Sequence, residues 1–153
     1  MAFPPITELL PHRASLLLVD KVLASDASSI TVQATPQADA WYANESGQMP
    51  AWIGIELMAQ TVAAFAGWSG LKNGQPPRRG VLLGSRRYQS ELPAYPAGQP
   101  LEVKASEIYR DESGMGSFEC EIHLAGQAVA SATLSVFEPN NFDEFLRERL
   151  QRD

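Results

Sequence analysis

The chain is predicted to be α+β: one long, buried helix against an antiparallel sheet of about six strands, with an extra helix at the carboxyl end. Three observations point there. Residues 49–68, MPAWIGIELMAQTVAAFAGW, are apolar on nearly every side of a helical wheel, the mark of a helix buried all round. Short β-branched or alternating runs punctuated by Gly, Pro, Asn and Asp lie on both sides of that stretch, two before it and four after it. The 153 residues show no repeat and no second composition regime, so helix and strands must share one core.

Taken in order, Pro4 and Pro5 open a helical turn over residues 6–10. LLLVDKVL, residues 16–23, reads as a strand, and residues 30–35 as its hairpin partner across a turn at 26–29. Residues 36–48 form a loop carrying Trp41 and Tyr42, large rings that call for a packing partner. After the helix, the Pro- and Gly-rich stretch 72–80 is loop. Strands follow at 80–88, 101–110, 116–124 and 127–137, separated by a breaker-rich loop at 93–100, an Asp/Ser/Gly turn at 111–116 and the hairpin turn Ala125-Gly126. Residues 140–152 form a terminal amphipathic helix with Asn141 as its N-cap. The division is thus a domain at 1–139 and a helical extension at 140–153.

With 44% hydrophobic and 20% charged residues, the composition is that of a globular protein. A net charge of −6 argues against nucleic acid as a partner. Cys120 is the one cysteine, which excludes an intramolecular disulfide and a cysteine-based metal centre; no His/Asp/Glu set at ligand spacing points to a metal, and no cofactor is expected. The opening residues lack a signal peptide's basic and apolar regions, and Glu56 and Gln60 make a membrane-spanning role for the long helix unfavourable. The cytoplasm is the expected location.

Glu56 is the formal charge on the otherwise apolar helix. Glutamate is rarely buried without a partner or a task. Its helical neighbours include Gln60, an amide within reach one turn on. A carboxyl in apolar surroundings holds its proton more tightly, the property a proton donor needs. The alternative is a structural carboxylate bonded to Gln60 or to backbone. His12 is either a capping or packing residue at the end of the first turn or a second catalytic residue. Cys120 alternates with Phe118 and Ile122 and reads as core, and His123 beside a hairpin turn reads as solvent-exposed.

Three ordered blocks resemble the hotdog-fold 3-hydroxyacyl-(acyl-carrier-protein) dehydratases: LLPHRASLLLVDKV at 9–22, MPAWIGIELMAQ at 49–60, and GVLLGSRRYQSELPAYPAGQPLEV at 80–103. Within that family, the chain is similar to the accessory dehydratase-like subunits of aryl polyene pigment clusters. The resemblance implies a hotdog fold of fatty acid, polyene or polyketide biosynthesis, a helix carboxylate (Glu56) acting on the 3-hydroxyl, and carbonyl polarisation at the helix start, Pro50-Ala51-Trp52, with Gln60 nearby in the substrate site. It also implies an acyl carrier protein bearing a phosphopantetheine thioester as partner. The basic group Arg78, Arg79, Arg86 and Arg87 would dock that acidic carrier, or else is an ordinary solvated loop.

The family's catalytic histidine is missing. Its spacing to the helix carboxylate lands on Tyr42, with Trp41 in the place of a glycine, and Ala51 stands where a glycine follows the proline. A phenol can donate a hydrogen bond but is a poor base. Sites of this family lie between two subunits, so the resemblance leaves a homodimer lacking both histidines, or a heterodimer in which a related hotdog subunit supplies one to Glu56. Hydrolysis of an acyl thioester and a catalytically inactive partner subunit are the competing functions.

Overall fold

The computed structural model describes residues 2–139 and 147–150. Its elements are β1 (Lys21–Ser25), β2 (Ser29–Ala34), β3 (Met49–Pro50), α1 (Ile53–Lys72), β4 (Val81–Ser90), β5 (Ala94–Tyr95), β6 (Leu101–Arg110), β7 (Met115–Leu124) and β8 (Gln127–Phe137). The six longer strands form one antiparallel sheet in the order β1-β2-β6-β7-β8-β4, and β3 pairs with β5 beside it. α1 lies across β2, β6 and β7. The predicted fold class is therefore the observed one. Residues 147–150 are helical; the expected N-cap and apolar stripe of the terminal helix, apart from Leu150, lie outside the described residues.

Alternation builds the core. Ile30, Val32 and Ala34 of β2, Leu101, Val103 and Ala105 of β6, and Cys120 and Ile122 of β7 all point inward and are buried. They meet Ile53, Leu57, Met58 and Phe65 of α1. Phe65 and Phe118 pack edge to face at 5.6 Å. The turn Ala125-Gly126 places both residues at positive φ (52° and 81°), the two-residue hairpin geometry whose twist suits paired strands.

Four expectations shift. The first turn is a 3-10 helix at Ile6–Glu8. The first strand begins at Lys21 rather than at Leu16; residues Ala14–Leu16 form a second 3-10 turn, because the backbone at Leu16 and Leu18 bonds the side chain of Gln60 instead of a neighbouring strand. The long helix starts at Ile53 and runs to Lys72, its expected first residues having become β3. Nor is it buried on every side. The sheet covers one side, and Trp52, Ile55, Glu56, Ala59 and Ala63 form a stripe that is exposed or half-buried in this chain.

β4 is an edge strand, bonded on one side to β8. Its register slips twice, between Leu82 and Gly84 and between Arg86 and Gln89, and it leaves Leu82 and Leu83 exposed. Among the described residues no helix is long and apolar enough to cross a membrane.

Candidate active site

Glu56 sits in the first turn of α1, and Gln60 follows one turn later on the same face. Gln60 is fully buried, and its amide is satisfied from three directions. Nε2 donates to Leu16 O at 2.7 Å and to Glu56 Oε1 at 2.9 Å, while Oε1 accepts from Leu18 N at 2.9 Å. A backbone acceptor on one side and a backbone donor on the other fix which end of the amide faces Glu56. His12 Nε2 lies 3.7 Å from the same Glu56 oxygen. Its Nδ1 is buried with no hydrogen-bond partner among the described residues.

Glu56 and His12 line a cavity of about 190 Å³ whose other walls include residues of α1, β4, β7 and β8. Ala59, Val62, Ala63, Phe118 and Val136 make its lining largely apolar. Small side chains at one helical spacing open a groove that Leu or Phe would fill. Glu56 itself is not enclosed: 46% of its side chain is exposed, so the fully apolar setting expected from sequence is not met within one chain. It lies on the stripe of α1 that the sheet does not cover.

The start of α1 is held tightly. Ala51 N donates to Pro93 O at 2.9 Å, and Ala51 O accepts from Gly54 N at 2.9 Å and from the Tyr88 hydroxyl. Of the three residues expected to polarise a carbonyl, Pro50 has no N–H and that of Ala51 is engaged, which leaves Trp52, whose N–H has no partner among the described residues. Tyr88, Tyr95 and Ser90 join their hydroxyls behind Ala51, a set that sequence reading did not single out. A tyrosine in a strand carries no signal that distinguishes packing from hydrogen bonding.

Tyr42 is buried and lies outside the Glu56 cavity. Its hydroxyl accepts from Gln37 N at 2.9 Å, and burial raises its phenol above the ordinary value. Trp41 stands edge-on to it at 5.5 Å and donates through Nε1 to Ser15 O at 2.8 Å. The pair anchors its loop.

A family model described as ApeP dehydratase matches residues 4–147. The chain belongs to the ApeP-like dehydratase family. Among solved structures, this ApeP-like chain superposes on one from the dehydratase heterocomplex ApeI:P of Xenorhabdus doucetiae with a TM-score of 0.86, at 29% identity, over 95% of this chain and 97% of that one. Among curated proteins it is similar to the 3-hydroxyacyl-(acyl-carrier-protein) dehydratase FabZ of Rhizobium leguminosarum bv. trifolii, 28% identical over 134 residues, covering 84% of this chain and 83% of that protein. The FabZ of Chlamydia trachomatis is 29% identical over 136 residues, 85% of this chain and 87% of that protein. A hypothetical thioesterase from Streptococcus pneumoniae shares the fold alone, at 17% identity and a TM-score of 0.61 over 77% of this chain and 84% of that one.

The four arginines divide. Arg78 pairs with Glu138, which Arg110 also approaches at 3.4 Å, so that cation closes the end of β8 against the loop before β4. Arg79, Arg86 and Arg87 are exposed on or beside β4. Cys120 is core, as its alternation implied, and burial pushes its thiol up to about 12. His123 pairs with Glu121 at 3.1 Å on the surface.

Proposed function

We propose that this chain is a 3-hydroxyacyl carrier-protein dehydratase subunit that contributes Glu56 to a site completed by a second, related hotdog subunit. The observation that carries the reading is Glu56 itself, aimed by a buried and fully bonded Gln60 at the mouth of an apolar cavity. Family membership makes the chemistry a dehydration, and similarity to FabZ suggests the thioester substrate.

Dehydration requires a base for the proton at C2 and an acid for the hydroxyl at C3. Glu56 suits the second role: it delivers a proton as the C3–O bond breaks and water leaves. Tyr42 cannot take the first role, because its hydroxyl is buried, bonded to Gln37 and shifted further from the range of a base. We assign the base to a histidine of the partner subunit. His12 keeps to Glu56, beside which it stands. The uncovered stripe of α1 and the exposed Leu82 and Leu83 of edge strand β4 are apolar surface that such a subunit would cover. The similar chain from the ApeI:P heterocomplex favours an unlike partner over a second copy.

Arg79 just before β4 and Arg86 and Arg87 within it would steer an acidic carrier protein, with Arg78 held by Glu138. The hotdog unit is residues 1–139, the remainder is an extension, and the reaction takes place in the cytoplasm. The test is reconstitution. The chain co-expressed with a histidine-bearing hotdog subunit should co-purify with it and convert 3-hydroxyacyl carrier protein to the 2-enoyl product, whereas the chain alone should not. Release of free thiol would instead indicate hydrolysis and contradict the proposal.

A further inference from the structure

We propose that Tyr88 is a positioning residue of this site: its hydroxyl fixes the Ala51–Trp52 peptide so that the Trp52 N–H meets the substrate's thioester carbonyl. The inference rests on the dehydratase reading above.

β4 is exposed over most of its length, yet Tyr88 turns inward. The cause is the second bulge. Between Arg86 and Gln89 the strand advances three residues against the two from Thr133 to Ser131 on β8, and Arg87 takes up the irregularity at φ 57°. The Tyr88 hydroxyl then reaches Ala51 O. Behind it stand Tyr95 Oη at 3.0 Å, Ser90 Oγ 3.0 Å from Tyr95, and Leu92 O, which accepts from Ser90 at 2.7 Å.

Three hydroxyl protons are available to these four contacts, so one of the four carries no proton. Both ends of the chain are carbonyl oxygens, which can only accept. Tyr88 donates to Ala51 O and Ser90 to Leu92 O, so Tyr95 has the remaining proton to give to one of these two hydroxyls. The Tyr88 hydroxyl thus reaches Ala51 O with Tyr95 and Ser90 packed behind it. Residue 54 is matched to it: a Cβ on Gly54 would lie 2.3 Å from the Tyr88 hydroxyl and 3.0 Å from Ile122 Cδ1.

In a trans peptide the C=O and the following N–H point in opposite directions. Holding Ala51 O toward β4 therefore turns the Trp52 N–H away from β4. Ala51's own N–H is spent on Pro93 O. During dehydration the electron pair of the broken C2–H bond moves onto the thioester oxygen. It returns to form C2=C3 as the C3–O bond breaks, and the hydroxyl leaves as water with a proton from Glu56. A fixed donor at the thioester oxygen acts while that charge is present, so its loss falls on kcat.

The experiment is steady-state dehydration by the reconstituted complex, comparing Tyr88→Phe, Gly54→Ala and the double variant at a temperature where circular dichroism shows all to be folded. Tyr88→Phe should lower kcat about tenfold or more with KM little changed. Gly54→Ala should lower it by displacing the hydroxyl, and the double variant should be no worse than the poorer single one, because both remove the same contact. An unchanged kcat for Tyr88→Phe, a loss confined to KM, or losses that multiply in the double variant would each overturn the role of Tyr88. If the unsubstituted complex forms no enoyl product, the dehydratase reading fails first and this inference with it.

Discussion

Gln60 and Glu56, one helical turn apart, share a 2.9 Å hydrogen bond whose direction is set by a different part of the chain. The backbone of Leu16 and Leu18 grips both ends of the Gln60 amide, so the segment before β1 dictates where the carboxylate points. Replacing Gln60 with Met keeps the volume and removes all three bonds. Leu16 O and Leu18 N would then lose their side-chain partner, and the segment before β1 its tie to α1. Urea unfolding should show the loss of stability, and the reconstituted complex should lose at least about tenfold in dehydration rate as Glu56 is freed to turn.

Cys120 should be inert in the folded protein. It lies in β7 among Ala105, Phe118 and Ile122, and burial holds its thiol near 12, so almost no thiolate exists at pH 8. Iodoacetamide at that pH should leave the native chain unmodified by mass spectrometry and modify it fully in denaturant. Rapid modification of the native chain would contradict the packing of β7.

The turn between β6 and β7 should loosen in acid. Asp111 accepts from the Ser113 hydroxyl at 2.6 Å, from the Tyr109 hydroxyl at 2.8 Å and from the backbone N–H groups of Ser113 and Met115. These bonds, that of Ser113 first, lower its carboxyl from 3.8 to about 2. A group depressed on folding stabilises the native state above its unfolded value and loses that contribution as the pH falls through the folded one. The effect should therefore be full above pH 4 and fade toward pH 2. Amide exchange at residues 111–115 should quicken over that window, and Asp111→Asn should flatten the change.

Gly67 is where α1 meets the amino-terminal segment. A Cβ there would lie 1.9 Å from Leu9 O and 2.7 Å from Leu9 C, both backbone atoms of a buried residue. Gly67→Ala should cost about 1–3 kcal/mol despite alanine's better helix propensity. The corresponding fall in Tm, about 2–4 °C for each kcal/mol in a chain of this size, should be visible by calorimetry. An unchanged or raised Tm would mean that the segment around Leu9 does not pack as described.

What sequence reading could recover follows from which contacts are local. β6 and β8 begin and end at the predicted residues because Gly, Pro and Asp mark their limits. The long helix was evident from its apolar content, although its first turn yielded to β3, a two-residue strand too short to show any period. The false strand at Leu16 has the same kind of origin. Its apolar run looks like β-structure, and what removes it is a bond to Gln60 that spans 42 to 44 residues. Glu56 and Gln60 were legible as a pair because helix geometry brings such neighbours together. The partial exposure of Glu56 was not, since it depends on which face of α1 the sheet leaves bare. Tyr88 was hidden for a further reason: two bulges in β4 break the alternation from which its direction would be read.

The decisive measurement is dehydration of 3-hydroxyacyl carrier protein by the chain and its histidine-bearing hotdog partner, with Glu56→Gln introduced into this chain alone. Glutamine keeps the size and a hydrogen bond to Gln60 but cannot deliver a proton as the carboxyl does. The rate should fall by about 10²–10⁴-fold, the usual contribution of general acid–base catalysis, with the complex still assembled. Full activity of the assembled Glu56→Gln complex would contradict the assignment and leave this chain a structural partner.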